Sequence, residues 1–200
     1  MRVRNDPLDV RVRDLLEEFA ASDSPLPGGG AAAALMTGMA AGLLQMAARR
    51  STDGWPEARA TAAQAEALRL RAAPLPQAVS MAYGDVLELL GQPGLAQAEG
   101  RDEALAAAFG RAADFPLKIT EVACDVAELG LLVTERCEPM LQADAISAVL
   151  LAEAAARVGA HLVSINLAMS PEDERAANAA ELADAAARAA KRTLASLSET

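Results

Sequence analysis

Ser22-Asp23-Ser24-Pro25-Leu26-Pro27-Gly28-Gly29-Gly30-Ala31-Ala32-Ala33-Ala34 joins a proline-stiffened polar turn to three glycines and then to an apolar, alanine-rich helix. Three glycines before a helix lose much backbone entropy on ordering. What they offer in return is room, because backbone N–H groups without side chains around them can touch a ligand or another chain. The first amides of a helix have no partner inside it and carry the positive end of its dipole, so they suit a carboxylate or other anion. The plainer use is a tight turn that lets two helices pack closely, and residue physics alone favours that use.

The helix that follows is the key to the fold class. Gly28 to Ala48 holds no charged residue, and Gly38-Met39-Ala40-Ala41-Gly42 fits a small-residue helix-packing pattern. The run is long enough for a membrane span, yet it is mostly alanine and glycine and no second uncharged run follows it. A helix buried all round in a bundle explains it better. Leucine and alanine dominate a chain of 200 residues that is 52% apolar but only 2% aromatic. That composition favours helices packed through small side chains, in one domain over residues 1–200.

Outward from this segment, Asp6-Pro7 predicts a helix start, with Leu8, Val12, Leu15, Leu16 and Phe19 on one face as far as Ala21. The second helix spans about Gly30 to Arg50. Trp55-Pro56-Glu57 opens a third, interrupted by Pro74 and Pro76 and resumed from Gln77 to about Gly91. A fourth stretch covers Arg101 to Arg136, with a kink expected at Pro116. A fifth follows Pro139 to about Ala168. Ser170-Pro171-Glu172-Asp173 reads as a capped start for the sixth, which extends to about Ser196. No segment alternates with period two. The expected fold is all-α, an antiparallel bundle of about six helices, some kinked at prolines.

The formal net charge is -10, which argues against nucleic acid as a partner. Cys124 and Cys137 lie thirteen residues apart on one expected helix and point in different directions, so no disulfide is expected. No metal-ligand spacing exists, and no metal or cofactor is expected. The N-terminus is charged and no apolar signal core follows, which reads as cytoplasmic. His161 is the only histidine; a packed residue is the commoner use of a lone histidine than an acid or base. Arg49 and Arg50 offset the dipole at a helix C-terminus, or bind an anion through their forked donors.

The chain resembles the cyclodeaminase/cyclohydrolase family. The likeness rests on Leu15-Leu16-Glu17-Glu18-Phe19, the Ser24-Pro25-Leu26-Pro27-Gly28-Gly29-Gly30 turn, and Leu43-Leu44-Gln45-Met46. It continues in Tyr83 to Pro93, Ala112-Ala113-Asp114-Phe115-Pro116-Leu117, Ala143-Asp144-Ala145 through Ala154-Ala155, and Gly159-Ala160 to Ile165-Asn166-Leu167. The resemblance implies an all-α domain, commonly a homodimer, with a folate site lined partly by the glycine turn. It implies ring closure of 5-formiminotetrahydrofolate with ammonia release, or water addition to 5,10-methenyltetrahydrofolate, without a cofactor. Both reactions need proton transfer beside a nitrogen-rich carbon.

On that resemblance Asp144 is the candidate catalytic residue, as acid/base or pterin-binding group; the alternative is an N-cap for a helix beginning at Ala145. Ser24, Pro27, Gly28, Gly29, Gly30, Arg49, Arg50 and Asn166 are the candidate substrate-binding residues, the arginines for the glutamate tail. Asn166 lies roughly 33 Å from Asp144 along a straight helix. It serves another part of the ligand, a partner chain's site or, most simply, backbone hydrogen bonds near the helix end. Trp55 stacks on a pterin or, preferably, anchors the third helix. The family often has an aspartate four residues before an aromatic in the middle helix. Here Tyr83 takes the aromatic place and the aspartate position falls on Val79. The family's Gly-Lys-rich turn appears as Thr52-Asp53-Gly54-Trp55, and the serine before the late aspartate is Ala143. Two other uses of the same scaffold stand beside the enzyme: a catalytically degenerate homologue that binds a folate-like anion, and a helical dimer without ligand. A formiminotransferase domain is absent from this sequence, which tips the expectation slightly toward the cyclohydrolase.

Overall fold

The computed structural model describes residues 7–94 and 99–196, and among these the secondary structure is α-helical apart from one 3-10 turn. The helices are α1 (Val12–Ala20), α2 (Gly29–Arg50), α3 (Ala58–Ala72), α4 (Leu75–Leu90), α5 (Arg101–Ala112), α6 (Asp114–Arg136), α7 (Gln142–Asn166) and α8 (Glu174–Ser196), with the 3-10 turn at Pro139–Leu141. The six stretches read from the sequence are all present, two of them broken in two. Pro74 and Pro76 lack the N–H groups that would bond the Leu70 and Ala72 carbonyls, so α3 stops at Ala72 and α4 starts at Leu75. Pro116 has the same effect on Ala112. The break falls there, and Pro116 becomes a first-turn residue of α6 rather than a mid-helix kink.

Helices α2, α3, α6, α7 and α8 form the body of the bundle. α6 and α7 run antiparallel and approach most closely at two glycines. A Cβ on Gly159 would lie 2.3 Å from Thr120 Oγ1 and 2.9 Å from the Pro116 carbonyl oxygen; one on Gly130 would lie 2.4 Å from Val149 Cγ2. No side chain fits at either crossing. Around this pair the core is filled by Leu44, Ile119, Val126, Val133 and a large set of fully buried alanines. Trp55 is buried in the same core, so it anchors the turn into α3. Cys124 is buried in α6 and Cys137 closes that helix, both as free thiols. Burial, reinforced by Glu128 and Asp125, pushes the Cys124 thiol up to about 11.

Two helix starts differ from their sequence reading. Asp6 lies outside the described residues; residues 7–9 form a turn and α1 begins only at Val12. Of its apolar face Leu15 alone is buried, whereas Leu8, Val12 and Leu16 are exposed. Ser170 does not cap α8. Asp173 does, accepting the Arg175 backbone N–H at 3.0 Å, because Pro171 and Glu172 are spent in a turn. The expectation of a single long apolar run also needs correcting. Both Gly29–Arg50 and Pro139–Asn166 are long and apolar enough to cross a membrane; the protein buries 56% of the most apolar stretch of the first but only 39% of the second.

Candidate functional site

The predicted site residues gather at the two ends of α2. At its N-terminal end the Ser24 hydroxyl accepts the Leu26 N–H at 3.1 Å, shaping the turn into a cis Leu26–Pro27 bond. Gly28 is the N-cap residue. No side chain caps the helix and its first turn carries no acid, so this 22-residue helix supplies no anion of its own to its positive end.

The three glycines differ in purpose. None has a positive φ, so none is required by a left-handed turn. Gly30 is required by packing: a Cβ there would lie 2.8 Å from Val79 Cγ2 and 3.5 Å from Leu162 Cδ1. Gly28 is close to the Pro25 carbonyl oxygen, at 3.2 Å. Gly29 is exposed, and a Cβ on it would meet nothing within 4 Å. Helix packing therefore explains Gly30 and leaves Gly29 free to keep space open outside the bundle.

Val79 and Leu162 identify which other residues belong to this end. Tyr83 lies one turn beyond Val79 on α4 and is 37% exposed; its neighbour Gly84 faces the Leu26 side chain at 3.7 Å. Asn166 lies one turn beyond Leu162 on α7 and is half-buried. His161 is exposed beside Leu162, not packed in the core. The sequence gives Tyr83 the family's aromatic place but not a binding role; its four-residue spacing from Val79 puts both on one helical face at this end.

The C-terminal end of α2 holds the remaining candidates. The Ser51 hydroxyl donates to the Ala47 carbonyl oxygen at 2.8 Å and accepts the Glu138 N–H at 2.9 Å, tying this end to the loop before α7. Arg49 pairs with Glu66 at 3.1 Å, while Arg50 is exposed. A depression of about 510 Å³ lies here, lined by Arg49, Thr52, Arg59, Ala62, Ala63 and Glu66. Asp144 is exposed in the first turn of α7. It is not an N-cap: α7 starts at Gln142, Leu141 is the cap residue, and no side chain caps the helix. The carboxylate is favourably placed for the helix dipole and points to solvent.

α2 separates the two groups. Its 22 residues span roughly 30 Å at the usual rise. Gly30 meets Leu162 near the end of α7, whereas Ser51 meets Glu138 just before its start. Within the chain the glycine turn and Asn166 share one end, and Arg49, Arg50 and Asp144 share the other. Among the described residues no three His, Cys, Asp or Glu side chains gather as a metal site.

The fold and the glycine turn define an all-helical bundle with an uncapped, sterically open helix start at one end and an arginine-lined depression at the other. The family model for formiminotransferase-cyclodeaminase matches residues 11–191, and the chain belongs to that family. A crystal structure of formiminotetrahydrofolate cyclodeaminase from Thermotoga maritima has the same fold, with a TM-score of 0.79, 23% identity, and coverage of 95% of this chain and 98% of that one. Among curated proteins none matches this chain.

Proposed function

We propose that this protein is an enzyme of folate one-carbon metabolism, acting on 5,10-methenyltetrahydrofolate by hydrolysis or on 5-formiminotetrahydrofolate by cyclodeamination. Family membership supports the substrate class. The observation that carries the site is the start of α2: uncapped amides below Gly29, with open space above it. Those amides would hold an anionic or carbonyl oxygen of the folate. Tyr83 offers a ring on which a pterin could stack, and Asn166 offers one donor and one acceptor to its edge. No cofactor is called for, since both reactions move protons at a carbon already activated by two nitrogens.

The missing acid/base comes from a second copy of the chain. The outer face of α7 carries Leu150, Val158 and Ile165 exposed, and its only charges between Ala145 and Asn166 are Glu153 and Arg157, which pair with each other. An isologous, antiparallel contact along this stripe covers it. Centred near Ala154, such a contact sets Asp144 of the partner subunit beside Asn166 and the glycine turn. Asp144 then acts as the proton-transfer group, and Arg49 and Arg50 of the partner subunit face the glutamate tail.

The decay of methenyltetrahydrofolate absorbance with purified protein, compared with buffer alone, tests the hydrolytic arm; ammonia release from the formimino compound tests the other. No acceleration of either overturns the enzyme. The degenerate-binder reading has its own support, since Val79 fills the space over Gly30 where the family pattern has an aspartate. It predicts a rise in melting temperature with folate and no turnover.

A further inference from the structure

The two most exposed large apolar side chains among the described residues are Met140, at 75%, and Val12, at 72%. Neither stands alone on the surface. Val12, Leu15, Leu16 and Phe19 are spaced three, four and seven residues apart, so they form one face of α1. Leu15 alone of the four is buried, Leu16 is 64% exposed, and no described helix packs extensively on α1. A helix of nine residues is too short to persist in water on propensity; it needs its apolar face covered. Met140 lies in the 3-10 turn before α7, and Leu150 is exposed further along that helix. Within one chain the two patches sit at opposite ends of α2. α1 leads into the glycine turn, whereas the bond from Glu138 to Ser51 fixes the Met140 turn at the other end. The exposure of Val12 and Met140 shows that neither covers the other in the same chain.

We propose that α1 docks on a second copy of the chain, with Val12 and Leu16 against Met140 of the partner subunit. The inference rests on the antiparallel α7 contact of the folate reading. That contact turns the copies end for end and brings the start of one α7 to the glycine end of the other, where α1 is attached. Area favours a second copy as the occupant. A stable interface removes about 800 Å² from each partner. Leu150, Val158 and Ile165 are about half exposed at most and, at less than about 100 Å² apiece, fall well short of that. α1 and the Met140 turn extend the seam at both ends, because an isologous contact repeats each contribution. Asp144 stands one turn beyond Met140, so the docked helix also shields the proposed proton-transfer group from water.

Sedimentation of the intact protein across a concentration series reads the contact. Val12→Asp should weaken the wild-type dimer at least about tenfold, and Met140→Lys should do the same, because each puts a charge into an apolar seam. Combined in one chain, the two changes should recover most of the loss, since the carboxylate of one copy then meets the ammonium of the other. Both side chains are exposed in the single chain, so dilute, monomeric samples of the variants should melt as dilute wild type does. Leu150→Asp probes the α7 stripe separately. If it dissociates the dimer while Val12→Asp and Met140→Lys leave it intact, the folate reading keeps its dimer and the docking of α1 is overturned. Rescue in the double variant beside an unchanged Leu150→Asp dimer keeps the docking and removes the stripe. A wild type that stays monomeric overturns both. Additive loss in the double variant overturns the docking. So does a lowered melting temperature of dilute Val12→Asp, which would mean that the protein's own bundle covers α1.

Discussion

The two ends of α2 are built on opposite principles. The N-terminal end presents backbone: three glycines, no side-chain cap, and a carboxylate-free first turn. The C-terminal end presents side chains: Arg49 and Arg50 in the last turn, Ser51 stitched to Glu138, Glu66 and Arg59 opposite. A backbone site is rigid and cannot titrate, so it suits binding and orientation. A side-chain site can transfer protons or clamp a charged group. The carboxylate of Asp144 belongs to the second kind and sits roughly 30 Å from the first. The chain thus carries two unlike surfaces at opposite ends, and the proposed reaction, which uses both, calls for two copies of it.

The largest effect tests that division. Asp144→Asn keeps shape and exposure, so folding should be unchanged while turnover falls by about 10²–10⁴, the usual worth of a positioned acid or base. Gly29→Leu fills the open space and should abolish turnover by blocking the substrate. Mixed after reversible dissociation, the two inactive variants should regain about a quarter of wild-type turnover, since half the dimers are mixed and each has one intact site. No regain on mixing, with both variants inactive alone, would place the whole site in one protomer and break the comparison.

Next in size is the shaft that holds the ends apart. Gly159→Val drives a side chain into Thr120 and the Pro116 backbone, where nothing flexible can yield. A loss of about 3 kcal/mol in denaturant unfolding is expected, the upper part of the overpacking range. A loss below about 1 kcal/mol would mean that α6 and α7 separate easily, and the fixed spacing of the two ends would no longer hold.

Much of this organisation was legible in the sequence. Proline positions marked the helix breaks, because a missing N–H acts locally and needs no tertiary partner. The uncharged run after Gly28 marked a central helix for the same kind of reason. What stayed hidden was relational. Nothing local distinguishes Gly29, which faces open space, from Gly30, which faces Val79. Tyr83 joined the glycine turn only through that same Val79 contact. Asp144 resembled an N-cap because the 3-10 turn at Pro139–Leu141, which moves the helix start to Gln142, leaves no signature beyond one proline. The start of α8 was misread by three residues because Ser170-Pro171 and Asp173 both resemble starts, and only the bond to the Arg175 N–H separates them.

Adjacent glycines sharpen the comparison at a smaller scale. Gly30→Ala adds up to about 1 kcal/mol of helix propensity but pushes a methyl into Val79, a cost of about 1–3 kcal/mol. The steric cost wins, so Gly30→Ala should destabilise by about 1 kcal/mol, and adding Val79→Ala should remove the clash in a double-mutant cycle. Gly29→Ala meets nothing and should stabilise by about 0.4–1 kcal/mol through the unfolded chain while weakening folate binding. A stabilised Gly29→Ala protein with unchanged folate affinity would show that the open space has no ligand in it.

The smallest effect lies beside the glycine end and concerns acid. Arg175 donates to Asp173 at 2.7 Å, to the Gly110 carbonyl oxygen at 2.8 Å and to Asp114 at 2.5 Å, joining the start of α8 to the α5–α6 break. Hydrogen bonds from the Arg175 side chain and backbone hold the Asp173 carboxyl at about 2, below its ordinary 3.8. A folded-state value below the unfolded one means that the unfolded chain binds the proton first. The contribution is complete above the unfolded value, so neutral pH shows nothing. It declines as the pH falls from about 4 to about 2. Asp173 is partly exposed and screened, so the decline should be shallow. Asp173→Asn keeps an oxygen for the Arg175 N–H but cannot titrate, so its acid unfolding curve should lose this component while the wild type retains it. Identical slopes in the two proteins between pH 4 and pH 2 would show that Arg175 is held by the Gly110 carbonyl oxygen and the Asp114 carboxylate alone.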